Sequence, residues 1–350
     1  MAAFTTINDP EAHFQALKYT GNGSSQSMTL DGTTDMQPDF VWIKNLQDAE
    51  NHNLTDSVRG AEKVLFSNAT NVEATETNGM SSFDSDGFGV SVTNGALNAS
   101  GEPFIAYCWK AGTTSGLSGG SITPDAYSFN ATSGFSIVKF EGNGTVGATV
   151  AHALGAVPKA IIIKGTDNYV NNWQVYHVVG GNTGNYVFNN TDAFADDDSR
   201  WNDTTPSSTV WTMGSGATVN YNGRTFVAYV WADVQGFSKC GSYEGNANTD
   251  GTFIYTGFRP ALVIIKNIDG SSMGWTIRGK GLNPFNPADG HIVANTTAAE
   301  ASGKDIDILS NGFKARTTDG GVNGNGNTHI FMAWAEQPFV NSNGVPANAR

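Results

Sequence analysis

The sequence predicts an all-β fold of three tandem β-sandwich units, jelly-roll or lectin-like in kind. Short runs of strand-forming residues alternate with Gly, Asn and Asp clusters along the chain, a spacing that suits strands joined by turns. No stretch keeps a helical period for a useful length, and heptads are absent. One block recurs three times: Pro38-Asp-Phe-Val-Trp-Ile-Lys44, Pro158-Lys-Ala-Ile-Ile-Ile-Lys164 and Pro260-Ala-Leu-Val-Ile-Ile-Lys266.

Each unit opens on a short strand that ends in a Gly-Asn turn. Phe14–Tyr19 precedes Gly21-Asn22, Phe135–Phe140 precedes Gly142-Asn143, and Phe237 leads through Tyr243 to Gly245-Asn246. The Pro-to-Lys block follows. Its interior lacks polar alternation, so the strand is expected to be covered on both faces. A proline at the strand entrance loses no ladder bond. Nine residues after the lysine stand Trp173 and Trp275, with Asn53 at that spacing in the first unit. An aromatic strand closes each unit: Phe104-Ile-Ala-Tyr107, Phe226-Val-Ala-Tyr229 and Phe331-Met-Ala-Trp334. The distance from the block proline to the closing alanine is 68, 70 and 73 residues.

These markers divide the chain into an arm at 1–13, a first unit at 14–111, a Gly/Ser/Thr-rich linker at 112–134, a second unit at 135–234, a third unit at 235–339 and a tail at 340–350. The first junction is long and flexible in composition and the second is only a few residues. The second and third units are therefore expected to be joined more rigidly than the first and second.

Composition excludes several functions. The net charge of −13, with no basic cluster, disfavours binding to nucleic acid or to an anionic membrane. Apolar runs are too short to span a bilayer, and Met-Ala-Ala-Phe-Thr-Thr lacks the basic start and apolar stretch of an export signal. This is what a protein made and assembled in the cytoplasm, such as a virion component, would show. Two cysteines, Cys108 and Cys240, cannot form a disulfide framework and read as small buried hydrophobes.

Motifs that resemble chemical sites lack the context those sites need. Gly116-Leu-Ser118-Gly-Gly120 has no strand before it and no helix after it, as a nucleophile elbow requires. Gly142-Asn-Gly144-Thr-Val-Gly147 opens on strand and turn residues rather than the helix of a dinucleotide site. Asp84-Ser-Asp86-Gly87 departs from the calcium-loop pattern and aligns, through Asp86-Gly87-Phe88, with Asn311-Gly312-Phe313 as a turn before a strand. The six histidines (13, 52, 152, 177, 291 and 329) show no zinc spacing. Nine Asn-x-Ser/Thr triplets occur, as a chain so rich in these residues would show by chance. No catalytic residue, metal ligand or cofactor is assigned. The densest acidic cluster, Asp196-Asp-Asp198-Ser-Arg200-Trp201, is unique to the second unit. Asp196, Asp197 and Trp201 are the candidate ligand residues, carboxylates for calcium or a sugar hydroxyl and an indole to stack on a pyranose face.

The chain resembles a family of repeat-containing virion proteins of marine phages, especially cyanophages. The resemblance is carried by Tyr19-Thr-Gly-Asn-Gly23, Gln37-Pro-Asp-Phe-Val-Trp-Ile-Lys-Asn45, Asp56-Ser-Val-Arg-Gly60, Ser85-Asp-Gly-Phe88 and Ala106-Tyr-Cys-Trp109. Val150-Ala-His-Ala-Leu-Gly155, Arg200-Trp-Asn-Asp203 and the ending Gly344-Val-Pro-Ala-Asn-Ala-Arg350 also carry it. It implies a non-enzymatic part of a tail fibre or appendage involved in host attachment, or else a capsid-surface decoration. The partners implied are other virion proteins, a host-surface glycan bound in lectin fashion, and further copies of the chain, a homotrimer above all. Residues 1–13 would be the point of attachment to the particle. A polysaccharide depolymerase is the remaining alternative and would need paired carboxylates in a groove.

Overall fold

A computed structural model describes residues 5–92, 94–167, 170–270 and 272–349. Residues 1–4 of the arm and Arg350 of the closing segment lie outside the described residues.

The protein is all-β, with three helices of four residues each among the described residues. Each repeat builds a large sheet in one strand order. The opening strand (Phe14–Thr20, Phe135–Glu141, Ser238–Glu244) pairs with the closing strand (Pro103–Trp109, Thr225–Ala232, Thr328–Pro338). The closing strand pairs with the block strand (Phe40–Asn45, Pro158–Gly165, Phe258–Asn267), which pairs with a fourth strand (Asn53–Asp56, Gln174–His177, Thr276–Gly279). A fifth (Lys63–Phe66, Gly184–Val187, Ile292–Val293) completes the common order. A smaller sheet of two or three strands lies over one face of each. The sandwiches are thus unequal, a meander flanked by excursions to a small sheet, rather than the paired Greek keys of a jelly roll.

The block strand has a partner on each side and is covered on both faces, as its apolar interior predicts. In the first unit Phe40 and Trp42 face one core while Val41 and Ile43 face another. In the second, Ala160 and Ile162 face the first of these cores, and Ile161 and Ile163 face a separate outer core.

The core that Phe40 and Ala160 share runs through all three repeats. At its centre Trp109, Trp231 and Trp334, one from each closing strand, meet with ring centroids 5.3, 5.8 and 6.3 Å apart. The large sheets therefore surround a pseudo-three-fold axis. Packing there leaves a void of about 10 Å³.

The register of the third closing strand differs from the sequence alignment. Lys44, Lys164 and Lys266 stand opposite Ile105, Val227 and Ile330. Ala106 and Ala228 therefore correspond to Phe331, not Ala333, and the proline spacing becomes 68, 70 and 71 residues. Strand side chains repeat with period two, so a two-residue slip leaves every side chain on its proper face. An aromatic pattern alone cannot detect it.

The Gly/Ser/Thr-rich segment is not a free linker. Ala126–Asn130 pairs antiparallel with the opening strand of the second unit, and Gly120 and Ile122 bridge to Val150. Its glycines at 112, 116, 119 and 120 have positive φ, which lets the segment turn between these attachments. The described part of the arm is docked as well. Thr6 N–H donates to Gln235 O at 3.3 Å, Asn8 exchanges hydrogen bonds with Ser342, and Ile7 is buried in the shared core.

The Gly-Asn turns are held by three buried asparagines. Asn98, Asn220 and Asn323 accept from the N–H of Asn22, Asn143 and Asn246 at 2.9–3.0 Å, and their amides donate to nearby carbonyls. A Cβ on Gly21, Gly142 or Gly245 would run into the carbonyl oxygen of Ala99, Tyr221 or Gly324, so only glycine fits.

Candidate functional site

The acidic segment of the second unit is largely committed to local structure. Ala195–Asp196 adds a short strand beside Gly184 and Asn185, and Asp196 is exposed. Asp197 caps the four-residue helix Asp198–Trp201: its Oδ1 accepts from Ser199 N at 3.1 Å, and its carboxylate pairs with Arg200 at 3.1 Å. The helical turn points Trp201 inward, where it is 1% exposed and meets Tyr176 edge-on at 5.7 Å. The expectation that Trp201 stacks on a sugar is therefore corrected. Its indole fills the outer core of the second unit, and the three candidates do not converge on one surface.

The repeated polar groups that the structure brings together lie at the seams between units. Trp173 Nε1 donates to Phe66 O at 2.9 Å, and Trp275 Nε1 donates to Val187 O at 3.0 Å. In the first unit the equivalent residue is His52 rather than Asn53. Trp42 Nε1 donates to its Nδ1 at 3.0 Å, which leaves Nε2 to carry the proton and donate to Val293 O at 3.2 Å. These bonds run second to first, third to second and first to third. A second ring runs the opposite way, with Glu73 N donating to Thr166 O, Phe194 N to Ile268 O and Glu300 N to Leu46 O at 3.0–3.1 Å.

All three seams are thus closed by equivalent bonds, and the second and third units are not the more firmly joined pair. Linker length does not govern stiffness where the core is continuous. The first seam carries, in addition, a buried ion pair. Arg59 Nε donates to Asp56 Oδ2 at 2.6 Å, Tyr229 OH donates to the same oxygen at 2.7 Å, and Arg59 Nη2 reaches Leu54 O. Burial would lower the Arg59 pKa, but Asp56, Tyr229 and Glu73 outweigh it and hold the guanidinium above its usual value.

Two repeated features at the seams went unrecognised in the sequence. Asn68, Asn189 and Asn295 accept from the N–H of His52, Trp173 and Trp275 at 2.8–2.9 Å. They head three of the Asn-x-Thr triplets, 24, 25 and 29 residues after the block lysine, so that recurrence is structural. The block lysines are themselves buried, with Nζ donating to Asn45 O, to Thr70 O and Asn171 O, and to Asn267 O. Burial lowers their pKa to about 8 for Lys44, about 7 for Lys164 and about 8 for Lys266.

Burial also depresses four histidines, His52 to about 3 and His152, His177 and His291 to about 4. The unfolded chain binds these protons near pH 6.5. Between pH 6.5 and about 4 the unfolded state holds more protons, so stability is complete above 6.5 and falls as the pH drops through that window. Each histidine contributes a slope of up to about 1.4 kcal/mol per pH unit. The urea midpoint should fall markedly from pH 7.5 to 5.0. A midpoint unchanged over that range contradicts the buried, neutral state of these rings.

The other motifs resolve into turns. Asp84–Gly87 joins the strands Met80–Asp84 and Gly87–Val90, and Asp86 Oδ1 accepts from Met36 N at 3.1 Å. Gly87 and Gly312 occupy matching places, each where a Cβ would strike a carbonyl of the neighbouring strand, Met28 O or Ile254 O. Gly142–Gly147 leads into the strand Ala148–Ala151. Cys108 is buried, Cys240 is half-buried, and both are free. Among the described residues no group of three or more His, Cys, Asp or Glu side chains is arranged to hold a metal, and no helix is long and apolar enough to cross a membrane.

Neither the curated proteins nor the solved structures contain a match to the chain. One family model, described as a domain of unknown function, DUF7483, matches residues 9–338. That single span takes in all three repeats, in keeping with the continuous core. The chain belongs to the DUF7483 family.

Proposed function

We propose that the protein is a non-enzymatic structural component of a phage particle, placed in a tail fibre or appendage that takes part in host attachment. The observation that supports this reading is the closed ring of seams. The recurring polar side chains, His52 with Trp173 and Trp275, Asn68 with Asn189 and Asn295, and the block lysines, hold backbone groups of the scaffold. Repetition here conserves shape rather than a reacting centre. Three fused units around one axis form a body suited to a symmetric particle, where attachment sites are themselves related by rotation. The three-fold that a homotrimer would provide is already built into one chain. A sedimentation measurement should accordingly give a single chain of 36.9 kDa.

The deciding experiment uses an antibody raised against the recombinant chain. It should label purified particles at one defined position, and mass spectrometry should find the chain in those particles at a fixed copy number. Its absence from purified particles overturns the reading.

A further inference from the structure

We propose that the open side of the third unit is a docking groove for an extended segment of a partner polypeptide, which pairs edge-on with Ser238–Glu244 and sets an aromatic side chain opposite Gly241. The chain itself provides the precedent. In the second unit the corresponding opening, between the edges of Phe135–Glu141 and Ala148–Ala151, is filled by the segment before it. Asp125 N donates to Lys139 O at 2.8 Å, Ile122 N donates to Thr149 O at 3.0 Å, and Tyr127 stands opposite Val138. Ile122 is buried there and Tyr127 packs on the same outer core.

In the third unit the equivalent edges are the last strands of their sheets. Ser238–Glu244 ends the five-stranded sheet and Phe253–Tyr255 ends the three-stranded one. Only a few residues separate the second unit from the third, too short a segment to provide a covering strand. Two depressions of 340 and 190 Å³ lie between these edges. Val138 and Gly241 hold corresponding places, since they pair with Ala228 and Phe331 in the closing strands. The missing side chain at Gly241 uncovers the Phe331 ring, 2.9 Å from where a Cβ would sit. An aromatic residue on a neighbouring strand is the usual way to cover such a glycine. Phe253 and Tyr255, 45% and 50% exposed, wall the groove. Lys239 lies 5.3 Å over the Tyr255 ring and donates to Tyr255 O, and Asp233 takes up the Cys240 N–H at 2.8 Å. Strand addition uses main-chain bonds for affinity and alternate side-chain pockets for selectivity, which is what this edge provides.

The test uses the full chain and a labelled peptide with the sequence of residues 123–130, Thr-Pro-Asp-Ala-Tyr-Ser-Phe-Asn, beside a version with serine at both aromatic positions. The aromatic peptide should bind saturably by fluorescence anisotropy and shift amide resonances of residues 238–255. The serine version should bind at least tenfold more weakly. Ser242→Pro, on the edge position equivalent to Lys139, should abolish binding. Tyr255→Ala, which alters only an exposed wall, should weaken it at least threefold with the folded signal intact. Equal binding of both peptides, or none at millimolar concentration, overturns the proposal. So does saturable binding of a host glycan at these residues without any effect of the peptide. A dimer lost in Ser242→Pro, again without a peptide effect, would assign the edge to a second copy and likewise overturn it. The proposal stands apart from the virion reading, which the particle experiment tests separately.

Discussion

Replacing Trp109 with alanine should destabilise the whole chain by about 3–5 kcal/mol, the usual range for removing a buried tryptophan. The indole is 2% exposed and touches Phe14, Phe40, Phe135, Trp231 and Trp334, so rings from all three repeats border the cavity its loss would leave. Urea unfolding followed by circular dichroism should stay a single transition, shifted as a whole. Trp109→Phe should cost much less. It keeps most of the ring contacts and removes an indole N–H that has no partner among the described residues. If the wild type melts in three steps and only one responds to Trp109→Ala, the units are independent and the shared axis is not what stabilises them.

The second large effect is expected at the seam between the first and second units. Asp56→Ala should cost about 3–5 kcal/mol, because removing one partner strands a buried charge. Arg59 is 1% exposed at its side chain and would lose its 2.6 Å partner, while the Tyr229 hydroxyl would lose its acceptor. Glu73, at 3.3 Å from Nη1, offers only partial compensation. Replacing both charges together, as Asp56→Leu with Arg59→Met, should recover much of the loss, since a packed apolar pair carries no desolvation penalty. Stability measured by urea titration for the single and double variants decides this. A single-variant loss below about 1 kcal/mol would mean that water reaches the pair, as it does for exposed bridges.

The strand pattern was legible because its causes are local. Alternation, the prolines at strand entrances and the Gly-Asn turns each act within a few residues, and they mark the opening and block strands correctly. The asparagines were not legible. Asn68, Asn189 and Asn295 look like any others in a chain full of Asn, and only their shared acceptor role across 16, 16 and 20 residues sets them apart. His52 was hidden for a different reason. It replaces a tryptophan and does the same work with a ring nitrogen, so residue identity conceals the equivalence. At the candidate site, Trp201 was misread because one helical turn, capped by Asp197, decides which way it points.

By itself, then, the sequence determined an all-β chain with a three-fold repeat and a doubly covered central strand, since periodicity and turn chemistry depend on neighbours in the chain. Tertiary structure alone decided that the three repeats share one core, that a segment with the composition of a linker is a strand, and that one edge remains uncovered. Those outcomes depend on which faces meet across more than a hundred residues, and contacts of that range leave no periodic trace in the order of the amino acids.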